Sequence, residues 1–256
     1  MREQPEQQAP PVQKLRIRYA KRGRLRFTSH RDFSRAFERA VSRARIPMAY
    51  SSGFNPHPRI SYANASPTGA ESEAEYLEIG LREGSDPEVV HRNLDAALPD
   101  GLDILACVPS PPGGLADRLE ASHWRIRLAG QRIDEVEAAV TAFLARDAIE
   151  VERMTKKGVR SFDCRAAVVR LAVAAVPDSA EECAILDVVL WHGNPSVRPD
   201  DVLAGLREVG GLALGVPARH TRLAQGPLDP RTGTVGDPLA PDRDAAHPES
   251  ATATGS

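Results

Sequence analysis

The stretch "PSPPGG" at residues 109–114 constrains this chain more than any other feature. Prolines cannot donate to a central ladder and paired glycines suit neither a helix nor a strand interior, so no regular element runs through it. It divides 256 residues into two parts, each long enough to bury its own core.

Before the break, "KLRIRYA" and "RLRFT" alternate with a period of two and predict strands on either side of a bend at Gly23. A helix follows, capped by Ser29 with Asp32 three positions on, and Phe33, Phe37, Ala40, Val41 and Ala44 recur at helical spacing. "PMAY" and "RISYA" predict strand pieces, "EAEYLEIGL" a strand, "DPEVVHRNLDAAL" a helix opened by Asp86 and Pro87, and "GLDILACV" a strand. With the interrupted pieces joined, the order is β-α-β-β-α-β.

After the break the order recurs with one extra strand, from "HWRIRL" through the helices "RIDEVEAAVTAFLAR" and "RPDDVLAGLREVG" to "GVPARHTRL". The expectation is an α+β chain of two tandem ferredoxin-like (βαββαβ) domains, residues 14–108 and 122–224, joined by a linker at 109–121. Residues 1–13, rich in Gln, Glu and Pro, and the tail 225–256, poor in apolar residues, are expected to be disordered.

The net charge of −2 hides a strong asymmetry. Residues 14–45 hold twelve basic side chains against Asp32 and Glu38, while residues 46–120 hold four arginines against twelve acids. On the first helix Arg31, Arg35, Arg39 and Arg43 are spaced four apart, and at about 40° of drift per step they share one slanted stripe. The flanking segment adds Arg16, Arg18, Arg24 and Arg26 with no acid nearby in sequence. Like charges at this spacing repel, which points to an anionic partner, although an ordinary solvated face reads the same way.

The loop "SSGFNPHPRIS" stands out for stiffness. Asn55 and His57 each precede a proline and are pushed out of the helical region, while Pro56 and Pro58 fix their own φ. Such a frame can hold Phe54 to stack on a base, Arg59 to bind phosphate, and Asn55 and His57 in set geometry. The alternative is a plain strand connector. A third basic cluster, Lys156, Lys157, Arg160 and Arg165 around Gly158, predicts a hairpin tip that solubilises the chain or adds a phosphate contact.

Three widely spaced cysteines, Cys107, Cys164 and Cys183, show no spacing suited to zinc or an iron–sulfur cluster. They read as free thiols in a reducing cytoplasm, with no cofactor or metal expected. No apolar run approaches the roughly 20 residues that span a bilayer, so no membrane association is expected.

The segment "RIRYAKRGRLRFTSHRDFSRAFERAVSRARIPMAYSSGFNPHPRISYANASPTGAESEAEYLEIGL" closely resembles the DUF2344 family of radical SAM-linked proteins, and "VERMTKKGVRSFDCR" and "SVRPDDVL" resemble its later blocks. The resemblance implies association with a radical S-adenosylmethionine protein but brings no established reaction. Because no cluster-binding cysteines are present, any radical chemistry is expected in a separate chain.

Three functions fit these residues. The first is a non-catalytic accessory module that binds RNA, such as tRNA or rRNA, through Arg24, Arg26, Arg31, Arg35, Arg39, Phe54, Asn55, His57, Arg59, Lys156 and Lys157. The second is a metal-independent endoribonuclease with His30 or His57 as acid or base. The third is an adaptor whose basic face docks a partner protein.

Overall fold

Alternation along β1 (Gln13–Lys21) sends Leu15, Ile17 and Tyr19 to one face and Arg16 and Arg18 to the other. The computed structural model describes residues 7–155, 158–174 and 183–246. It is a mixed α+β structure of two compact units, one holding the described residues up to 116 with those from 238 on, the other spanning 117–237.

In the first unit the order after β1 is α1 (His30–Arg43), β2 (Ile60–Ala63), β3 (Glu71–Leu81), α2 (Pro87–Ala97) and β4 (Ile104–Pro109). All pairings are antiparallel and the strands lie side by side as β4-β1-β3-β2. Leu15 and Ile60 both face Ile79 across the ladder, so one apolar face runs over three strands. Phe33, Phe37 and Val41 of α1 and Val90 and Leu94 of α2 bury against it. The Ser29 hydroxyl accepts from the Asp32 amide, and the Asp86 carboxylate caps α2, as the sequence predicts.

"RLRFT" is not a strand. Gly23 takes a left-handed φ of 56°, the Arg22 amide bonds to the Gly101 carbonyl, and Gly23–Phe27 close as a 3-10 helix. Both edges of β1 are already occupied by β3 and β4, so a second strand there would have no ladder to join. "PMAY" contributes only single bridges, Met48 with Leu81 and Tyr50 with Pro58.

The second unit repeats the plan with β5 (Ala121–Ala129), α3 (Ile133–Leu144), β8 (Val168–Ala174), β9 (Cys183–Trp191), α4 (Pro199–Gly210) and β10 (Arg219–Gly226), strands ordered β10-β5-β9-β8. The extra strand is in fact a hairpin, β6 (Glu150–Thr155) with β7 (Gly158–Asp163), that forms its own two-stranded sheet between α3 and β8. α3 and α4 cross closely, because a Cβ added at Gly210 would stand 2.6 Å from the Ala139 Cα. All three cysteines are buried free thiols, and burial pushes Cys107 and Cys164 up to about 12.

The described part of the expected disordered tail is structured. Gln225 and Gly226 end β10, β11 (Leu228–Asp229) pairs with β12 (Thr234–Val235), and α5 (Ala240–Ala246) belongs to the first unit. Its anchor is Asp242, buried against Arg16, a contact that apolar content does not reveal. No described helix is long and apolar enough to cross a membrane.

Candidate nucleic-acid interface

The basic segment divides sharply once folded. Arg16 is fully buried, its Nη1 2.8 Å from Asp242 and its Nε 3.4 Å from Glu78. Lys14 pairs with Glu78 at 2.9 Å, Arg22 pairs with Glu73 and Asp103, and Arg26 lies 3.7 Å from Glu71. Arg18 donates to the Glu73 carbonyl. The reading of Arg16 and Arg26 as arginines without acids is therefore corrected: the acids of β3 and α5 neutralise them. The sequence hides this because those acids lie at least 45 residues further along the chain.

Arg31, Arg35, Arg39 and Arg43 remain. All four are exposed on α1, and none has an ion-pair partner among the described residues. The opposite face of the helix is fixed by Phe33, which stacks on Tyr19 with centroids 4.4 Å apart, and by fully buried Phe37. The helix cannot rotate without exposing that face, so the stripe is held outward. Arg24 is likewise exposed, and Arg26 lies 4.4 Å over the Phe27 ring, which is itself 60% exposed.

The loop at 51–59 is closed at its base. The Ser51 amide donates to the His57 carbonyl at 2.9 Å, the His57 amide donates to the Ser51 Oγ at 3.0 Å, and Tyr50 bridges to Pro58. Gly53 provides a φ of 126° that turns the tip. Phe54 at 68% exposure, Asn55, His57 and Arg59 all present side chains to solvent, with the Arg59 Nε donating to the Tyr50 carbonyl at 3.2 Å. A solvent-exposed phenylalanine on a stiffened tip has no packing role and is available to stack.

His30 and His57 are not brought together by any hydrogen bond or ring contact. His30 instead stands edge-on to Tyr62, centroids 4.8 Å apart, and Tyr62 has its phenol pushed upward by burial. Lys156 and Lys157 lie outside the described residues. Of their neighbours, Arg160 is exposed opposite Arg153, which is held by Asp201 at 2.6 Å, and Arg165 donates to the Val168 carbonyl. Among the described residues no cluster of His, Cys, Asp or Glu is arranged to hold a metal ion.

A cleft of about 530 Å³ lies on the opposite sheet face, lined by Lys14, Ser61, Glu78, Ser110 and the turn 111–116. Its charges satisfy one another: Glu78 takes bonds from Lys14 and Ser110, which together with neighbouring Arg16 hold its carboxyl low despite burial. Sequence reasoning also missed the arginines of β5, where "WRIRL" carries the same period-two signal as β1.

No curated protein matches this chain. Among solved structures, one chain of a Cbf5-Nop10-Gar1 complex is similar with a TM-score of 0.42 at 10% identity, over 86% of this chain and 54% of that one, so this chain spans about half its length. An unknown protein from Galdieria sulphuraria is similar with a TM-score of 0.23 at 14% identity, over 82% and 98% of the two chains. The model of the DUF2344 family, described as an uncharacterized protein conserved in bacteria, matches residues 14–199, and with well over half its length so matched the chain belongs to that family.

Proposed function

We propose that this chain is a non-catalytic accessory module of the cytoplasm that binds RNA through α1 and the 51–59 loop and serves a radical S-adenosylmethionine protein in a separate chain. The observation that carries this reading is the sorting of the cations: Lys14, Arg16, Arg22 and Arg26 of the same segment are engaged by acids, while Arg31, Arg35, Arg39 and Arg43 are left exposed in one row. Four uncompensated cations on a helix cost stability through repulsion, and an extended polyanion is the partner that relieves it. The exposed Phe54 ring adds a stacking surface that a purely ionic protein contact does not need.

The strand orders β4-β1-β3-β2 and β10-β5-β9-β8, each with two helices on one face, support reading the units as tandem ferredoxin-like domains. The endoribonuclease alternative is weaker because neither His30 nor His57 is hydrogen-bonded through its ring to a base or acid. An adaptor would use the same arginines. Titrating labelled tRNA or rRNA fragments between 50 and 200 mM salt separates the two. With four phosphates contacted, affinity is expected to fall by about two orders of magnitude, and a flat response rules RNA out.

A further inference from the structure

A second row of cations lies in the other unit, on the sheet face away from α3 and α4. Ile126 and Leu128 of β5 are buried toward the helices, and His220, opposite Ile126, reaches Asp200 of α4. Alternation therefore sends Arg125 and Arg127 to the far face, where both are exposed. The ladder seats Arg125 between Thr221 and Asp187, and Arg127 between Arg219 and Ile185. Asp187 is already engaged by Arg170 at 3.1 Å and by His123 at 2.5 Å, and neither Arg125 nor Arg127 has an ion pair among the described residues.

At the end of β9, on the same face, Trp191 is 50% exposed. Its ring lies close over Gly193, where a Cβ would stand 2.6 Å from the indole Cζ3. A half-exposed indole at a strand end offers a face on which a base can stack. Trp191 lies four strand positions, about 13 Å, from Asp187, the residue opposite Arg125.

We infer that this sheet face is a second contact for single-stranded RNA, with Arg125 and Arg127 on phosphates and Trp191 stacked on a base. The inference rests on the RNA-binding reading above and extends it to the second unit. An acidic protein would satisfy the arginines but has no need of the exposed indole, whereas bases stack on indole and guanidinium planes alike.

The test uses the full chain and a fluorescently labelled 12-mer oligouridylate. Arg125→Glu with Arg127→Glu is expected to weaken binding at least tenfold. Arg125→Gln with Arg127→Gln, which keeps the polar surface, is expected to lower the slope of log affinity against log salt by about 1.4, at ~0.7 per phosphate contact on a single strand. Binding is expected to quench the emission of Trp191, the exposed tryptophan, and Trp191→Phe to abolish that quenching while Trp124 stays buried. Unchanged affinity and slope in the glutamine pair, unmoved Trp191 emission at saturation, or equal competition by polyglutamate would each overturn the inference. If Arg31→Ala, Arg35→Ala, Arg39→Ala loses binding and the glutamine pair does not, the first-unit reading survives and this one fails; the reverse pattern keeps this one and removes the first.

Discussion

Arg16 and Asp242, 226 residues apart in sequence, form an ion pair in which neither side chain is exposed. The pair begins a line of alternating charge, Asp242, Arg16, Glu78 and Lys14, that ends at the surface. Removing one partner of a buried pair leaves the other desolvated and uncompensated, at a cost of ~3–5 kcal/mol. Asp242→Ala is therefore expected to destabilise by about 3 kcal/mol, the low end, because Glu78 still lies near Arg16. Urea unfolding measures it, and a loss below about 1 kcal/mol would show that α5 does not dock on the first unit.

Arg31→Ala, Arg35→Ala, Arg39→Ala removes exposed side chains with no ion-pair partner among the described residues, and surface changes of that kind stay within ~0.5 kcal/mol each. Melting is expected to hold or rise slightly as repulsion is relieved, while RNA affinity falls at least tenfold. Retained affinity in a folded triple variant would remove α1 from the interface.

Among the described residues His57 bonds the loop only through its backbone, which leaves its exposed ring open to ligand. His57→Ala is expected to leave stability within ~0.5 kcal/mol and to weaken RNA binding. A drop of several degrees in melting with normal binding would make the ring a structural part of the loop.

His192 completes a buried chain: the Trp124 indole donates to Ser122 Oγ at 2.8 Å, and the imidazole lies 3.0 Å from that oxygen and 2.7 Å from the Leu119 carbonyl. Burial lowers its pKa below the ordinary histidine value, and burial lowers His220 as well. A folded pKa below the unfolded one means the unfolded state binds more protons as pH falls. This contribution to stability is present above about pH 6.5 and is lost as pH drops through the folded value. The urea midpoint is expected to fall between pH 7.5 and 5, less steeply in His192→Gln. A midpoint that rises on acidification would contradict the burial of these rings.

Gly210→Ala tests the helix crossing. Propensity alone favours alanine by up to ~1 kcal/mol, but the new methyl would meet Ala139 backbone and side-chain atoms at 2.6 and 2.7 Å. Overpacking is expected to win, with a net loss of ~1–2 kcal/mol in urea unfolding. A stabilised variant would mean α3 and α4 separate freely.

The sequence by itself determined the elements whose signal is local. The period of α1, its Ser29 cap, the start of α2 at Asp86 and Pro87, and the alternation of β3 are all written in neighbouring residues, and the structure carries them out. The same local signal misreads "RLRFT", because alternation says that a segment suits a strand and not that a ladder edge is open to receive it. Only tertiary structure decided which arginines are available. Arg16 and Arg31 belong to one basic run, yet Arg16 is consumed by Asp242, in a segment whose composition suggests no fold, and Arg31 is not. Arg125 and Arg127 look from their alternation like β1's Arg16 and Arg18, yet they stay exposed, and among the described residues no acid pairs with either. Periodicity is a property of a few adjacent residues, whereas charge compensation depends on which distant segment packs alongside, and that is set by the whole fold.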